Sequence, residues 1–395
     1  MKEQQWQKSW TICFICLILS CYLCYPKMEN SLSKSSTRDY WPTDGWETSS
    51  PEEQMMDSEK LANLLAHIEE EQLFIDSVLI IRHGYLVEEQ YYHNYTRNKL
   101  HQVWSVTKSF TSALIGIAKE EGYLTLDQKV LDFFPERNFS HVDARKQAIT
   151  IEHLLTMTSG LDWPGEGIMG GVWIPSEDPV EFVLNRTMEH NPGEVFTYNS
   201  GATHVLSAIL QKVTGKTTLA YAQEKLFEPL GMGNLTWDQD QLGIYFGGHG
   251  LALTPRDMAR FGYLYLNNGT WEEEQQLVPR TWVNQSTSKN IQVDEATDYG
   301  YLWWLYPERG LYAAQGFLGQ RIFVFPEYDL LVVFTGALFD ATIYFELMEQ
   351  YILSALLDYN TQSTGTSYLF IIVPIAVSFS YLITQKIMTR KRKEK

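Results

Sequence analysis

Ser105 and Lys108 stand three positions apart in the run Trp104-Ser105-Val106-Thr107-Lys108-Ser109-Phe110. If this run opens a helix, both side chains share one face, with Cβ atoms about 5 to 6 Å apart, and an amine is set beside a hydroxyl. Residues 110–118 are largely apolar or small. A helix there would desolvate the lysine, lower its pKa and let it accept a proton, which makes the serine a nucleophile. The same spacing recurs at Ser31 to Lys34 and Ser286 to Lys289, in polar segments with no apolar helix to desolvate an amine. Context, not spacing, singles out Ser105.

The elements expected to position this pair read as mixed α/β, of the α+β type. Residues 78–81, a turn at His83-Gly84 and residues 85–92 have the pattern of an antiparallel hairpin; so do residues 322–325, a turn at 326–329 and residues 330–334. Residues 339–357 carry apolar side chains at helical spacing. Between the two hairpins lie mostly helical and loop segments. The economical arrangement is one antiparallel sheet built from both ends of the body, with a helical subdomain inserted and a cleft between the two parts.

Several ordered stretches in this body resemble the serine beta-lactamase and penicillin-binding-protein superfamily, in particular its class C beta-lactamase-related, esterase-like branch. They are Trp104-Ser105-Val106-Thr107-Lys108, then residues 154–161 (LLTMTSGL), 192–200 (PGEVFTYNS), 250–260 (GLALTPRDMAR) and 316–320 (GFLGQ). The resemblance covers about residues 60–357. It implies a beta-lactamase/transpeptidase-like fold and a catalytic set of Ser105, Lys108 and Tyr198, with the Tyr198 phenol serving as general base and then general acid. It also implies an oxyanion hole from the N–H groups of Ser105 and Phe317, with Gly316 allowing close approach; such donors are worth about 3 kcal/mol each.

The chain departs from the family pattern at three places. Ser200 stands where the family's Tyr-x-Asn motif has its amide, which alters a contact expected to meet substrate, since a hydroxyl has fewer donors. Ala314, in Ala314-Gln315-Gly316, replaces a cation or imidazole that helps relatives hold a substrate carboxylate. Met157 stands where many relatives carry histidine. The loss at Ala314 points away from beta-lactams and D-alanyl peptides and towards ester or amide substrates without that carboxylate. His249 could lie near the cleft, and Trp163, Trp173, Trp303 and Trp304 could line an apolar pocket, although a lone loop histidine and scattered aromatics are more often structural.

The formal charge is −17. Residues 1–27 and 367–395 hold nine Lys/Arg against two Asp/Glu, which leaves 22 basic and 46 acidic groups, a charge of −24, in between. So acidic a body opposes nucleic acid and favours neutral or cationic small-molecule, lipid or peptide-like acyl substrates. The histidines show no His-Glu-x-x-His spacing, Gly215-Lys216-Thr217 lacks the upstream glycine of a phosphate loop, and no Gly-x-Ser-x-Gly elbow occurs. No metal or other cofactor is expected.

All four cysteines, Cys13, Cys16, Cys21 and Cys24, lie in an uncharged stretch at residues 10–25, so residues 1–27 read as a signal peptide or signal anchor. Residues 28–60 read as a flexible lead-in, 61–357 as the hydrolase domain and 358–366 as a linker. Residues 367–385 read as a transmembrane helix and 386–395 as a basic cytosolic tail. Sequons at Asn94, Asn138, Asn185, Asn234, Asn268 and Asn284 fit a lumenal or extracellular body. Lys391 and Lys393 also resemble a retrieval signal, so the endoplasmic reticulum and the cell surface are both open. The expectation is a membrane-anchored serine hydrolase forming an acyl-serine, with acyltransferase activity if an alcohol or amine outcompetes water. The alternative is a catalytically inactive binding member of the same fold.

Overall fold

Strand β1 (Ile75–Arg82) is buried along its whole length. Successive residues of a strand point to opposite faces, and both faces here are covered: Leu79 and Ile81 join a large core under the helices, while Val78 and Ile80 join a smaller core on the other side. That is why this strand reads as a continuous apolar run rather than an alternating one. The computed structural model describes Arg38 and residues 40–165 and 173–357.

In chain order the elements that matter for the site are α1 (Ser58–Glu70), β1, β2 (Tyr85–Tyr91), β3 (His101–Gln102), α2 (Thr107–Glu120), α3 (Pro179–Leu184) and α4 (Ser200–Thr214). They are followed by β4 (Thr236–Trp237), β5 (Leu251–Leu253), α5 (Pro255–Leu266), α6 (Arg280–Ser286), β6 (Ile291–Gln292), β7 (Asp298–Tyr299) and β8 (Trp304–Tyr306). Last come β9 (Leu311–Gly316), β10 (Gln320–Phe325), β11 (Leu330–Gly336) and α7 (Thr342–Leu347). The main sheet has the order β2-β1-β11-β10-β9-β8-β7-β6, and its pairs are antiparallel. Both expected hairpins are present, as β1–β2 and β10–β11, and the pairing of β1 with β11 joins the two ends of the body. A small second sheet, β3-β5-β4, lies apart from it.

Helix α2 is buried from Thr107 to Ala118. It is able to be so deep because its neighbours come close: a Cβ on Gly116 would fall 2.3 Å from the Trp282 ring of α6. Helix α5 reaches the sheet the same way, with Gly262 against Leu331 and Ile322. The helical part between β2 and β6 thus packs on one face of the sheet, and α1 and α7 cover the other.

Two expectations change. The stretch from Tyr40 to α1, expected as part of a flexible lead-in, is packed: Trp46 is buried and donates Nε1–H to Arg256 O at 3.3 Å, Tyr40 donates to Gly84 O at 2.6 Å, and Met56 is fully buried. Its polar composition hid three aromatic or sulfur anchors. The helix expected from residue 339 begins at Thr342, where Asp340 Oδ1 accepts the Thr342 N–H at 2.9 Å, and Phe339 is left outside it. Among the described residues no helix is long and apolar enough to cross a membrane. The expected N-terminal and C-terminal membrane segments lie outside the described residues.

Candidate active site

Three elements converge on Lys108. The first is the turn Trp104–Val106, which carries Ser105 and runs straight into α2. It is pinned from outside by the small sheet: β3 pairs with β5, and Val103 N–H donates to Leu251 O at 2.9 Å. Trp104 takes a left-handed backbone, φ 50°, a conformation that costs a non-glycine residue about 1–2 kcal/mol. It sets Ser105 at the mouth of the helix rather than inside it.

The second is the start of α4. Asn199 caps this helix by accepting the Ala202 N–H at 2.8 Å, which fixes Tyr198 just before the cap and Ser200 just after it. Met157 supports the same turn, its carbonyl and Sδ accepting the N–H groups of Thr197 and Asn199 at 2.8 and 3.3 Å. The third is the glycine loop 247–250, which leads into β5. Gly247 and Gly248 pack onto Thr203 O and Ser200 O so closely that a Cβ would lie 2.3 and 2.8 Å away, and Thr111 of α2 donates to Gly247 O at 2.8 Å.

In this setting Lys108 is 1% exposed. Its Nζ donates to Ser105 Oγ at 3.0 Å, Ser200 Oγ at 2.7 Å and Gly248 O at 2.9 Å. It also sits 4.7 Å from the centre of the Tyr198 ring. The expected helix does bring Ser105 and Lys108 together. Ser200, expected to meet substrate, is buried with its Oγ on Lys108. The Gly248 carbonyl has no counterpart in the sequence reading, because a backbone acceptor has no side-chain signature; the glycine run around His249 was the available signal.

Tyr198 is half-buried and stacks on Trp304 at 5.7 Å, with Phe196 and Tyr299 edge-on to the same indole. The β8–β9 ladder ends at the pair Trp304–Ala313. The edge of β9 at Ala314, Gln315 and Gly316 therefore continues past β8. Gly316 lies against the nucleophile's turn: a Cβ there would be 2.2 Å from Val103 O. Arg321, buried on the other face over the Tyr344 ring, donates Nη1–H to Gly316 O at 2.5 Å and to Gln320 O at 3.0 Å. The peptide is trans and planar, so its N–H opposes its C=O; with Gly316 O turned to Arg321, the Phe317 N–H faces the opposite way.

The other three tryptophan candidates are all buried. Trp303 is core, packed on Phe261, Tyr265 and Tyr312. Trp163 and Trp173 sit in the helical part, 6.3 Å apart. A surface recess lined by Ile117, Glu121, Lys225 and Arg280 at the far end of α2 shares no residue with the site. No group of three or more His, Cys, Asp or Glu among the described residues could hold a metal ion.

His249 stacks on Phe246 at 4.5 Å and meets Trp173 at a tilt of 56°, and its Nε2 is buried without a hydrogen bond. Burial pushes its pKa down to about 3, and the proximity of Lys108 and His204 acts in the same direction. The folded state thus keeps this imidazole neutral while the unfolded chain protonates near 6.5, so the stability it permits is complete above about 6.5 and is lost as pH falls towards 3. Each unit in that window costs about 1.4 kcal/mol. His101, buried and pushed down to about 4, acts in the same direction. Urea midpoints measured from pH 7 to 4.5 are expected to fall, and His249→Gln to flatten part of the slope. Parallel profiles for the two proteins would remove His249 from this account.

A family model described as Beta-lactamase matches residues 61–356. Among curated proteins, the chain is similar to the 6-aminohexanoate-dimer hydrolase of Paenarthrobacter ureafaciens, at 25% identity over 308 residues, 72% of this chain and 78% of that protein. Among solved structures it is similar to the octameric penicillin-binding protein homologue from Pyrococcus abyssi, with a TM-score of 0.63 and 25% identity over 76% of this chain and 78% of that one. It is also similar to EstCE1, a hydrolase with promiscuous acyltransferase activity, with a TM-score of 0.64 and 18% identity over 76% and 98%.

Proposed function

The chain belongs to the beta-lactamase family and is a serine hydrolase of that fold, and from this premise we propose that it cleaves esters or amides that lack a carboxylate beside the scissile bond, through an acyl-serine at Ser105. The observation that carries the reading is the bonding of Lys108. A neutral amine has two N–H groups and one lone pair. In the neutral form two N–H groups can stay on Gly248 O and Ser200 Oγ, and the 3.0 Å contact in which the ammonium donates to Ser105 Oγ becomes one in which the nitrogen accepts from the hydroxyl. Lys108 then takes the serine proton as the Oγ–acyl bond forms.

Tyr198, under the lysine, passes a proton to the leaving group and later takes one from the deacylating water. The substrate oxygen is received by the N–H groups of Ser105 and Phe317; the Arg321 contact to Gly316 O supports that orientation. Ser200 positions Lys108. Two of the relatives named above, a 6-aminohexanoate-dimer hydrolase and a hydrolase with promiscuous acyltransferase activity, suit the same chemistry, and transfer to an alcohol or amine follows where that acceptor outcompetes water.

Ala314 is buried and carries no charge, and Arg321 bonds on the far face. A substrate carboxylate would have no cation here, and burying it unpaired costs several kcal/mol. p-Nitrophenyl acetate and butyrate are expected to be hydrolysed with kcat/KM at least about a hundredfold above nitrocefin or a D-alanyl-D-alanine peptide. Faster turnover of the beta-lactam would refute this specificity.

The proposal includes a placement: a lumenal or extracellular body at residues 61–357, an apolar span at 367–385 and a cytosolic tail. Asn94, Asn138, Asn234 and Asn284 are exposed, and Asn185 and Asn268 are half-buried. Expression in sealed microsomes is expected to give glycosidase-sensitive mass and a protease-accessible C-terminal tag. A protected tag contradicts the orientation.

A further inference from the structure

Three large apolar side chains lie exposed in a row beside Ser105. Trp104, the residue before the nucleophile, is 38% exposed; Phe317, whose N–H is the second oxyanion donor of the proposed reaction, is 55% exposed; and Phe339 is 83% exposed. They form a chain of edge-to-face contacts, Trp104 to Phe317 at 5.7 Å and Phe317 to Phe339 at 5.8 Å. Phe339 is held there by backbone, since Leu338 N–H donates to Leu318 O at 3.1 Å. Single exposed apolar residues need no explanation, but contiguous ones at the mouth of a site mark a surface that is covered when the site is in use.

We infer that Trp104, Phe317 and Phe339 form the acyl subsite, and that the preferred substrates carry an unbranched apolar acyl group of roughly six carbons or more. This rests on the acyl-serine reading. The side of the scissile bond follows from the ring contacts. The leaving group must depart towards Tyr198, which protonates it, and the ring stacked on Tyr198 is Trp304, itself flanked by Tyr299 and Phe196. The ring contacts of Trp104 and Phe339 are with Phe317, a separate aromatic group joined to the serine through Trp104 itself. An alkyl chain lying along these rings buries its methylenes against them and needs no charge, in keeping with the empty cation position at Ala314.

The test is a p-nitrophenyl ester series with acetate, butyrate and octanoate, run on the wild type and on Phe339→Ser, a variant outside the catalytic set at an exposed position. In the wild type kcat/KM is expected to rise at least about tenfold from acetate to octanoate, since each buried methylene is worth up to about fourfold. Phe339→Ser is expected to lower the octanoate value about fivefold or more and to leave acetate within about twofold. A flat wild-type profile, or an equal fall on both esters, overturns the subsite while leaving the hydrolase reading intact. A gradient found instead in alkyl acetates of increasing alcohol length places the rings on the leaving-group side and likewise overturns it. Failure to hydrolyse any ester, with no labelling by a fluorophosphonate, overturns the hydrolase reading and the subsite together.

Discussion

Ser105→Ala is expected to lower ester hydrolysis by about 10⁴-fold or more while the protein stays folded. The side chain is only half-buried and its one described side-chain partner is Lys108, so its loss removes a nucleophile and little packing. What remains should be the modest catalysis of an oxyanion hole and a binding cleft. Residues that act as one unit give non-additive losses. The double variant Ser105→Ala/Lys108→Met should therefore be no slower than Ser105→Ala. Multiplying losses would mean that the two side chains work independently, which the 3.0 Å contact argues against. Unfolding free energies from urea titration within about 1 kcal/mol of wild type would show that the lost rate is chemistry and not folding.

Lys108→Met is expected to reduce kcat by about 10³-fold, the usual worth of a positioned proton acceptor, with a smaller change in KM. Methionine keeps the length and apolar stem of the lysine. It leaves Gly248 O and Ser200 Oγ without the amine that now bonds them, at a cost of about 1–3 kcal/mol for such a buried group. Lys108→Arg is the discriminating variant. A guanidinium keeps the charge but does not give up its proton in a protein, so it should be no more active than the methionine variant. An arginine variant with most of its activity intact would show that position 108 supplies charge alone, and the proton route through Lys108 would be wrong.

How far these residues were legible in the sequence follows from what each contributes. Ser105 and Lys108 were legible because a helix fixes the geometry of side chains three positions apart, and because residues 110–118 are apolar. The two hairpins were legible because turn residues separate their strands, and because β1, β10 and β11 contain uninterrupted apolar runs covered on both faces. Tyr198, Gly316 and Phe317 were reached through ordered family motifs, not through any local pattern.

The rest depended on contacts that no local pattern reports. The Gly248 carbonyl is a backbone atom brought in by the packing of glycines on α4. Trp303 and Trp304 are adjacent and identical in type, yet one enters the core and the other faces Tyr198. Phe339 fits a helical spacing, and only the bond from Thr342 N–H to Asp340 shows that the helix starts beyond it. Trp46 and Met56 were masked by polar neighbours, since a few anchors are enough to hold an otherwise polar segment.

The central claim is that Ser105 becomes acylated, and intact folded protein treated with a fluorophosphonate tests it most directly. Tryptic cleavage after Lys99 and Lys108 releases residues 100–108, in which Ser105 is the only serine. The account predicts one adduct per chain, on this peptide and on Ser105, lost in Ser105→Ala. Folded protein that stays unlabelled, or an adduct carried by any other peptide, would contradict it.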